Sequence, residues 1–114
     1  MRRILVALAA IAAVLAVAVG AQASSQANKL TATDGPGFTI TMSKKSVKAG
    51  TYTITVKDKS NIHNFHLTGP GGIDKKTSVS AVKTYTWKLK LKKGTYKFVC
   101  DPHASFMKGT LKVT

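Results

Sequence analysis

The stretch that decides the fold is residues 85–100, which read YTWKLKLKKGTYKFVC. Aromatic and aliphatic residues take every second position from Tyr85 to Leu91, and alternation resumes from Tyr96 to Cys100. A period of two with aromatic and branched residues is typical of strands that bury one face. The intervening Lys92-Lys93-Gly94 has the composition of a turn. We therefore expect the two runs to pair directly as an antiparallel hairpin that ends at Cys100.

The same period recurs over most of the chain. Hydrophobic residues alternate with threonine or lysine at 38–42 and 52–56, and again at 111–113, with turn-forming residues at 35–37, 49–50 and 69–72. A helical pattern is confined to the first part of the chain. The pattern predicts an all-β sandwich of about seven to eight short strands, with Met42, Tyr85 and Trp87 in its core.

The first 23 residues have the composition of an export signal. Arg2 and Arg3 form a short basic head, residues 4–19 carry no charge, and Ala21-Gln22-Ala23 is a small-x-small cleavage sequence. We expect cleavage after Ala23, with Ala27 as the second choice. The alternative is a retained anchor, because the apolar run is just long enough to span a bilayer. The signal predicts a periplasmic, secreted or cell-surface protein.

Cleavage leaves a polar lead-in at 24–28 and one domain at 29–114, which is enough chain for a modest core. The 18 basic residues include only two arginines, both in the signal, so the domain sets lysines alone against four aspartates. This excess favours an acidic partner or an anionic surface, or else serves solubility. Nucleic acid fits poorly, because the domain lacks arginine and its lysines are spread along the chain.

Cys100 is the only cysteine, so the domain has no internal disulfide. A thiol outside the cytoplasm oxidises unless it is buried, ligated or paired between chains. A buried structural thiol is the simpler role, but His103 and Met107 follow on the same loop, and His63 supplies a second imidazole from a predicted strand. One thiolate, two imidazoles and a weak thioether suit copper that cycles between Cu(I) and Cu(II).

Two segments resemble known copper proteins. Tyr96-x-Phe98-x-Cys100-x-Pro102-His103-x-x-x-Met107-x-Gly109 resembles the copper loop of plastocyanin, pseudoazurin and amicyanin, and His63-Asn64 resembles the pair that supplies their first histidine. The chain is therefore similar to the cupredoxin family over residues 29–114. The resemblance implies a Greek-key cupredoxin sandwich with a type 1 (blue) copper site, whose equatorial ligands are His63, Cys100 and His103 and whose axial ligand is Met107.

The resemblance also implies roles around the metal. Asn64 ties the strand of His63 to the loop after Cys100, and electrons pass through His103. An apolar rim for a transient partner surrounds that histidine; it consists of Gly35, Pro36, Pro70, Pro102 and Phe106. Asp101 replaces a small hydroxyl residue, and its carboxylate either accepts a hydrogen bond from Asn64 or faces water. The loop from His103 to Met107 is one residue longer than in amicyanin and one shorter than in plastocyanin.

His66 is the alternative to His63 as a ligand. Residues three apart on a strand point to opposite faces, so both rings cannot easily reach one ion. The adjacent Asn64 favours His63, which leaves His66 as a surface or interstrand residue.

We expect single-electron transfer without substrate turnover, to or from a redox partner such as an acidic cytochrome or oxidase. The alternative is copper binding and delivery without a carrier role. Catalysis is disfavoured because His66 is the only histidine left for a second centre, and a binuclear copper site needs two cysteines. We expect a monomer that touches a membrane only transiently or through an uncleaved N-terminal segment.

Overall fold

The computed structural model describes residues 28–114, so the predicted signal at 1–23 and nearly all of the lead-in lie outside the described residues. Within them the chain forms nine strands, and a 3₁₀ turn spans Asp101–His103. The strands are β1 (Lys29–Asp34), β2 (Ile40–Met42), β3 (Ser46–Val47), β4 (Gly50–Asp58), β5 (His66–Gly69), β6 (Ile73–Lys76), β7 (Lys83–Leu91), β8 (Gly94–Val99) and β9 (Lys108–Val113).

The strands form two sheets. One has the order β2-β1-β4-β7 and the other the order β3-β9-β8-β5-β6. The pairs β1–β4 and β3–β9 are parallel, and the remaining neighbours are antiparallel. The predicted all-β sandwich is confirmed, although it has more strands than expected. β2 lies within the alternating run at 38–42, whereas β3 spans only two residues and is too short to be recognised by a period of two. No helix within residues 28–114 is long and apolar enough to cross a membrane.

The predicted pairing of β7 with β8 is wrong. β7 pairs with β4 in the first sheet, whereas β8 pairs with β5 and β9 in the second. The turn at Lys92-Lys93 therefore carries the chain from one sheet to the other. Tyr96 fixes this crossing, because its hydroxyl accepts a hydrogen bond from Lys92 N (2.9 Å) and donates one to Pro70 O (3.1 Å).

The core lies between the two sheets. Phe65 and Phe98 stack at its centre with ring centroids 5.3 Å apart. The predicted core residues Met42, Tyr85 and Trp87 pack against it while remaining partly exposed. Burying each large apolar side chain stabilises the fold by about 1.5–3 kcal/mol. Fully buried members include Leu30, Ile54, Val56, Leu67, Tyr96 and Leu111.

Two carboxyl groups are buried side by side where β1 and β4 end. Asp34 and Asp58 are register partners and are 0% and 2% exposed. Asp58 accepts hydrogen bonds from Ser60 N (3.3 Å) and Thr77 Oγ1 (3.2 Å). Within the described residues Asp34 meets no N–H or O–H donor, so only a proton shared with Asp58 can bond it. Burial, the hydrogen bond to Asp58 and its negative charge raise the pKa of Asp34 to about 7.

We expect Asp34→Asn to remove a pH dependence of stability. In the unfolded chain the pKa of this carboxyl lies near its ordinary value of 3.8, so the folded state binds more protons between pH 4 and pH 7. The free energy of unfolding therefore falls as pH rises through this window. The asparagine amide supplies a permanent donor to Asp58. Urea denaturation should find the variant at least about 1 kcal/mol more stable than the wild type at pH 8. Identical pH profiles for the two proteins contradict this prediction.

Candidate metal centre

The candidate ligands come from two loops at the end of the sandwich where β4 and β8 finish. Cys100 directly follows β8, His103 closes the 3₁₀ turn, and Met107 directly precedes β9. His63 lies in the loop between β4 and β5, so its predicted placement on a strand is wrong. The strand begins three residues later, at His66.

Backbone hydrogen bonds close the Cys100–Met107 loop on itself. Cys100 N donates to Met107 O (2.9 Å), His103 N donates to Cys100 O (3.0 Å), and Met107 N donates to His103 O (2.9 Å). Pro102 sits within the turn, where its missing N–H costs no strand pairing. The loop therefore holds its cysteine, histidine and methionine in a fixed arrangement, with Met107 only 1% exposed.

Three donor atoms converge at this point. Cys100 Sγ lies 3.7 Å from His63 Nδ1 and 3.5 Å from His103 Nδ1, and the two nitrogens are 3.1 Å apart. Cys100 and His63 are fully buried, whereas His103 is half-buried. Sequence reasoning thus identified three residues that the fold brings together across about forty positions of chain.

The triangle of donor atoms has the size that a metal ion needs. A circle through three points with these separations has a radius of about 2.0 Å, close to metal–imidazole and slightly below metal–thiolate bond lengths. Two imidazole nitrogens with one thiolate form the equatorial set of a blue-copper site. The residues present therefore fit a single copper ion, and the thioether of Met107 is the donor available from the same loop.

Asn64 joins the two loops. Its side chain accepts a hydrogen bond from Asp101 N (2.7 Å) and donates one to Asp101 Oδ2 (2.8 Å). Its backbone N–H points at Cys100 Sγ at 3.5 Å. Of the two alternatives for Asp101, the structure has the carboxylate accepting from Asn64. The Asn64 side chain thus fixes the position of the Cys100 sulfur relative to His63.

His66 lies outside the donor triangle. Its Nδ1 is 2.8 Å from Asp101 Oδ1, and its Nε2 contacts Asp74 Oδ1. Both nitrogens can donate only when the ring is protonated. Desolvation by itself lowers the pKa of His66, but the hydrogen bonds and charges of Asp101 and Asp74 outweigh it, and the net pKa is raised. His66 therefore supports Asp101 from the side away from Asn64.

His63 is oriented by packing. Within residues 28–114 its buried Nε2 has no hydrogen-bond partner. A Cβ on Gly35 would lie 3.4 Å from its Cδ2 and 2.8 Å from the Ser60 Cβ, and Gly35 adopts a φ of +66°. The ring of Phe38 packs edge-on against the His63 ring at a centroid distance of 5.1 Å. Glycine at position 35 is thus required by both backbone conformation and space.

Two aromatic side chains surround the exposed edge of the centre. Phe38 lies 5.2 Å from the His103 ring and 5.9 Å from Phe106, which itself lies 5.5 Å from His103. Phe38 and Phe106 are 59% and 58% exposed. Sequence reasoning included Phe106 in the rim but missed Phe38, because alternation with Ile40 and Met42 suggested one strand. The turn residues at 35–37 were the signal that Phe38 could belong to the loop.

The residues of the predicted rim do not all lie at the same end of the sandwich. Gly35 contacts the His63 side, and Pro36 and Pro102 are exposed beside Gly35 and His103. Pro70 is not in the rim. It packs against Gly94 and accepts the Tyr96 hydroxyl at the opposite end of the sandwich, because β5 runs away from the centre before Pro70 is reached.

Comparison with known proteins assigns the family. The description "Copper binding proteins, plastocyanin/azurin family" matches residues 26–114. The chain belongs to this family, whose members bind copper and transfer electrons, and its donor set is compatible with one copper ion. A comparison with curated proteins found no match.

Solved cupredoxin structures share the fold. Reduced rusticyanin has 23% identity and a TM-score of 0.56, covering 75% of this chain and 78% of its own. Reduced auracyanin from the photosynthetic bacterium Roseiflexus castenholzii has 20% identity and a TM-score of 0.55, covering 76% and 97%. A reduced amicyanin variant has 22% identity and a TM-score of 0.53, covering 76% and 83%.

We expect His66→Ala to destabilise the metal-free protein more at low pH than at high pH. Because the folded-state pKa of His66 is raised, its stabilisation is complete below the unfolded value of 6.5 and is lost as pH rises through the folded value. The loss should be below about 1 kcal/mol at pH 5.5 and near zero at pH 9. Denaturant titrations at both pH values check this, with the exposed Lys75→Ala as a pH-independent control. An equal loss at both pH values contradicts the ion pairs.

Proposed function

We propose that this protein is an exported carrier of single electrons, in which His63, Cys100, His103 and Met107 would hold one copper ion. The observation that carries the proposal is the triangle formed by Cys100 Sγ and the two Nδ1 atoms, with sides of 3.1–3.7 Å. Family membership supports copper and electron transfer in general. Export is supported by the sequence of residues 1–23.

The donor set suits one-electron chemistry rather than substrate turnover. Copper, when bound, supplies the change of oxidation state. The thiolate and thioether favour Cu(I), whereas the two imidazoles suit Cu(II), so no donor needs to be exchanged between the states. Backbone hydrogen bonds within the Cys100–Met107 loop, together with the Asn64 side chain, keep the donor atoms in place. The backbone N–H of Asn64 points at the cysteine sulfur and helps to hold it in position.

The exposed edge of His103 is the proposed route for electrons. His63, Cys100 and Met107 are buried, so His103 is the proposed ligand whose side chain reaches solvent. Phe38 and Phe106 give this edge an apolar surround, which suits the small and short-lived contacts of redox partners. The lysine excess favours an acidic redox partner such as a cytochrome or oxidase. The copper protein meets this partner as a monomer.

Copper titration of matched variants tests the ligand assignment. Adding Cu(II) to the wild type should give the intense thiolate-to-copper absorption of a blue-copper site, at one ion per chain. Cys100→Ser should remain colourless, because the thiolate is lost. His63→Gln should lose the blue band, whereas His66→Gln keeps it, because His66 lies outside the donor triangle. A colourless wild type, or a blue His63→Gln beside a colourless His66→Gln, overturns the assignment.

Repeated redox cycling separates the carrier from a copper-delivery protein. We expect the copper-loaded protein to be reduced and reoxidised many times in the presence of a Cu(I) chelator without loss of the blue band, because the buried donors hold both oxidation states. Stopped-flow absorbance and metal analysis after cycling measure this. Release of copper to the chelator on the first reduction favours delivery and contradicts the carrier.

A further inference from the structure

Two buried carboxyl groups lie next to the loop that carries His63. Asp34 and Asp58, which we call the carboxyl pair, end the inward-facing rows of β1 and β4 at the metal end of the sandwich. Gly35 directly follows Asp34, and a Cβ on this glycine would lie 3.4 Å from Cδ2 of His63. Charges interact more strongly in a protein interior than in water, so a buried pair at this position responds to the charge of the metal centre.

Asp58 is bonded to both flanks of His63. Its Oδ1 accepts a hydrogen bond from Ser60 N (3.3 Å), and Ser60 Oγ accepts one from the backbone N–H immediately before His63 (3.2 Å). Its Oδ2 accepts a hydrogen bond from Thr77 Oγ1 (3.2 Å), which accepts one from Phe65 N (2.9 Å), two residues after His63. One carboxylate therefore fixes the backbone on each side of the histidine, through one intermediate side chain on each side.

Asp34 sets the charge of this anchor. Among the described residues no N–H or O–H group donates to either of its oxygens, so a proton shared with Asp58 is the bond open to it. Burial and the neighbouring Asp58 raise the pKa of Asp34 to about 7. The carboxyl pair thus carries one negative charge while it holds the proton and two after the proton is lost. The charge of the pair, and with it the strength of the bonds to Asp58, changes close to neutral pH.

The other charged groups around the carboxyl pair point to solvent. The charged residues that flank the pair in the chain or in register are exposed lysines: Lys57, Lys59 and Lys83. From β2 the apolar Ile40 is the register partner of Asp34, and the hydroxyls of Ser60 and Thr77 do not titrate near neutral pH. The remaining titratable neighbour is His63, a proposed ligand. The pair is therefore the buried proton-binding group behind the metal centre.

We propose that the carboxyl pair is a proton-binding site linked to the oxidation state of the bound copper, and that Asp58 is a positioning residue for His63. One-electron reduction of the bound copper from Cu(II) to Cu(I) by a redox partner removes one unit of positive charge beside the pair. The pair then holds its proton more tightly, and the proton taken up comes from solvent. By linkage, a protonated pair favours Cu(I) by the same factor. This inference rests on the proposed copper ligands, but it requires no particular redox partner.

The proton affinity of the pair is measured by carbon-13 NMR of the aspartate carboxyl groups. In the metal-free protein the Asp34 carboxyl should titrate near pH 7, and the amide signals of Ser60 and Phe65 should shift with the same midpoint. Zn(II) accepts cysteine and histidine donors and carries the charge of Cu(II), so it serves as the stand-in for the oxidised state. The proton affinity should be about fivefold higher with Cu(I) than with Zn(II). Equal midpoints in the two metal forms overturn the linkage, and this test needs only the wild type.

Redox titration of Asp34→Asn tests the same linkage in the copper protein. The asparagine amide donates permanently to Asp58, so the equilibrium constant for reduction should match wild type at pH 5.5 and exceed it about fivefold at pH 9. Titration of the histidines is common to both proteins and cancels in the comparison. Lys57→Gln, which removes an exposed charge next to Asp58, should change the constant by the same factor at both pH values. Circular dichroism verifies that the variants are folded.

The outcomes separate this inference from the proposed function. A blue protein whose wild-type and Asp34→Asn profiles run parallel overturns the linkage alone, whereas a protein that takes up no copper overturns the proposed function as well. The positioning role has its own test in Thr77. Thr77→Val breaks the bond between Asp58 and the Phe65 flank and should shift the blue absorption band, while Thr77→Ser keeps the hydroxyl and should leave the band in place. An unshifted band in Thr77→Val overturns the positioning of His63 by Asp58.

Discussion

The reciprocal pair of hydrogen bonds between Asn64 and Asp101 is the constraint on which the metal centre depends. These residues are 37 positions apart in the chain, and the two bonds measure 2.7 and 2.8 Å. One bond uses the backbone N–H of Asp101 and the other its carboxylate, so the loop is fixed in both position and orientation. Because His63 precedes Asn64 and Cys100 precedes Asp101, the pair sets the distance between the histidine ring and the thiol.

Polar groups extend this constraint into the interior. Thr77 Oγ1 accepts a hydrogen bond from Phe65 N and donates one to Asp58, beside which the pKa of Asp34 is raised to about 7. Buried polar groups that are bonded in this way define one arrangement of the chain, since any shift would leave a group unsatisfied. The metal end is therefore stiffened by a bonded network as well as by hydrophobic packing. Stiffness of this kind suits a site whose donors must serve two oxidation states.

Much of the centre was predictable from the sequence because three of its candidate ligands are local to one loop. A cysteine, a histidine and a methionine within eight residues after a strand indicate a copper site, whatever the position of that strand in the fold. The supporting residues were not predictable in the same way. Whether Asp101 bonds to Asn64 or faces water depends on a distance between two loops, and the location of His66 between Asp74 and Asp101 depends on strand pairing. Phe38 was missed because a period of two does not show where a strand begins.

The sequence by itself determined the all-β class, the buried faces of the longer alternating strands and the class of metal site, because the period of two, turn composition and donor chemistry are local properties. Only the tertiary structure decided which strands are neighbours. β7 and β8 lie in different sheets although one short turn joins them, and Pro70 is far from the ligands. Strand pairing depends on how two hydrophobic faces pack together across the core. A short turn such as the one between β7 and β8 can either close a hairpin or carry the chain from one sheet to the other, so its length does not decide the pairing.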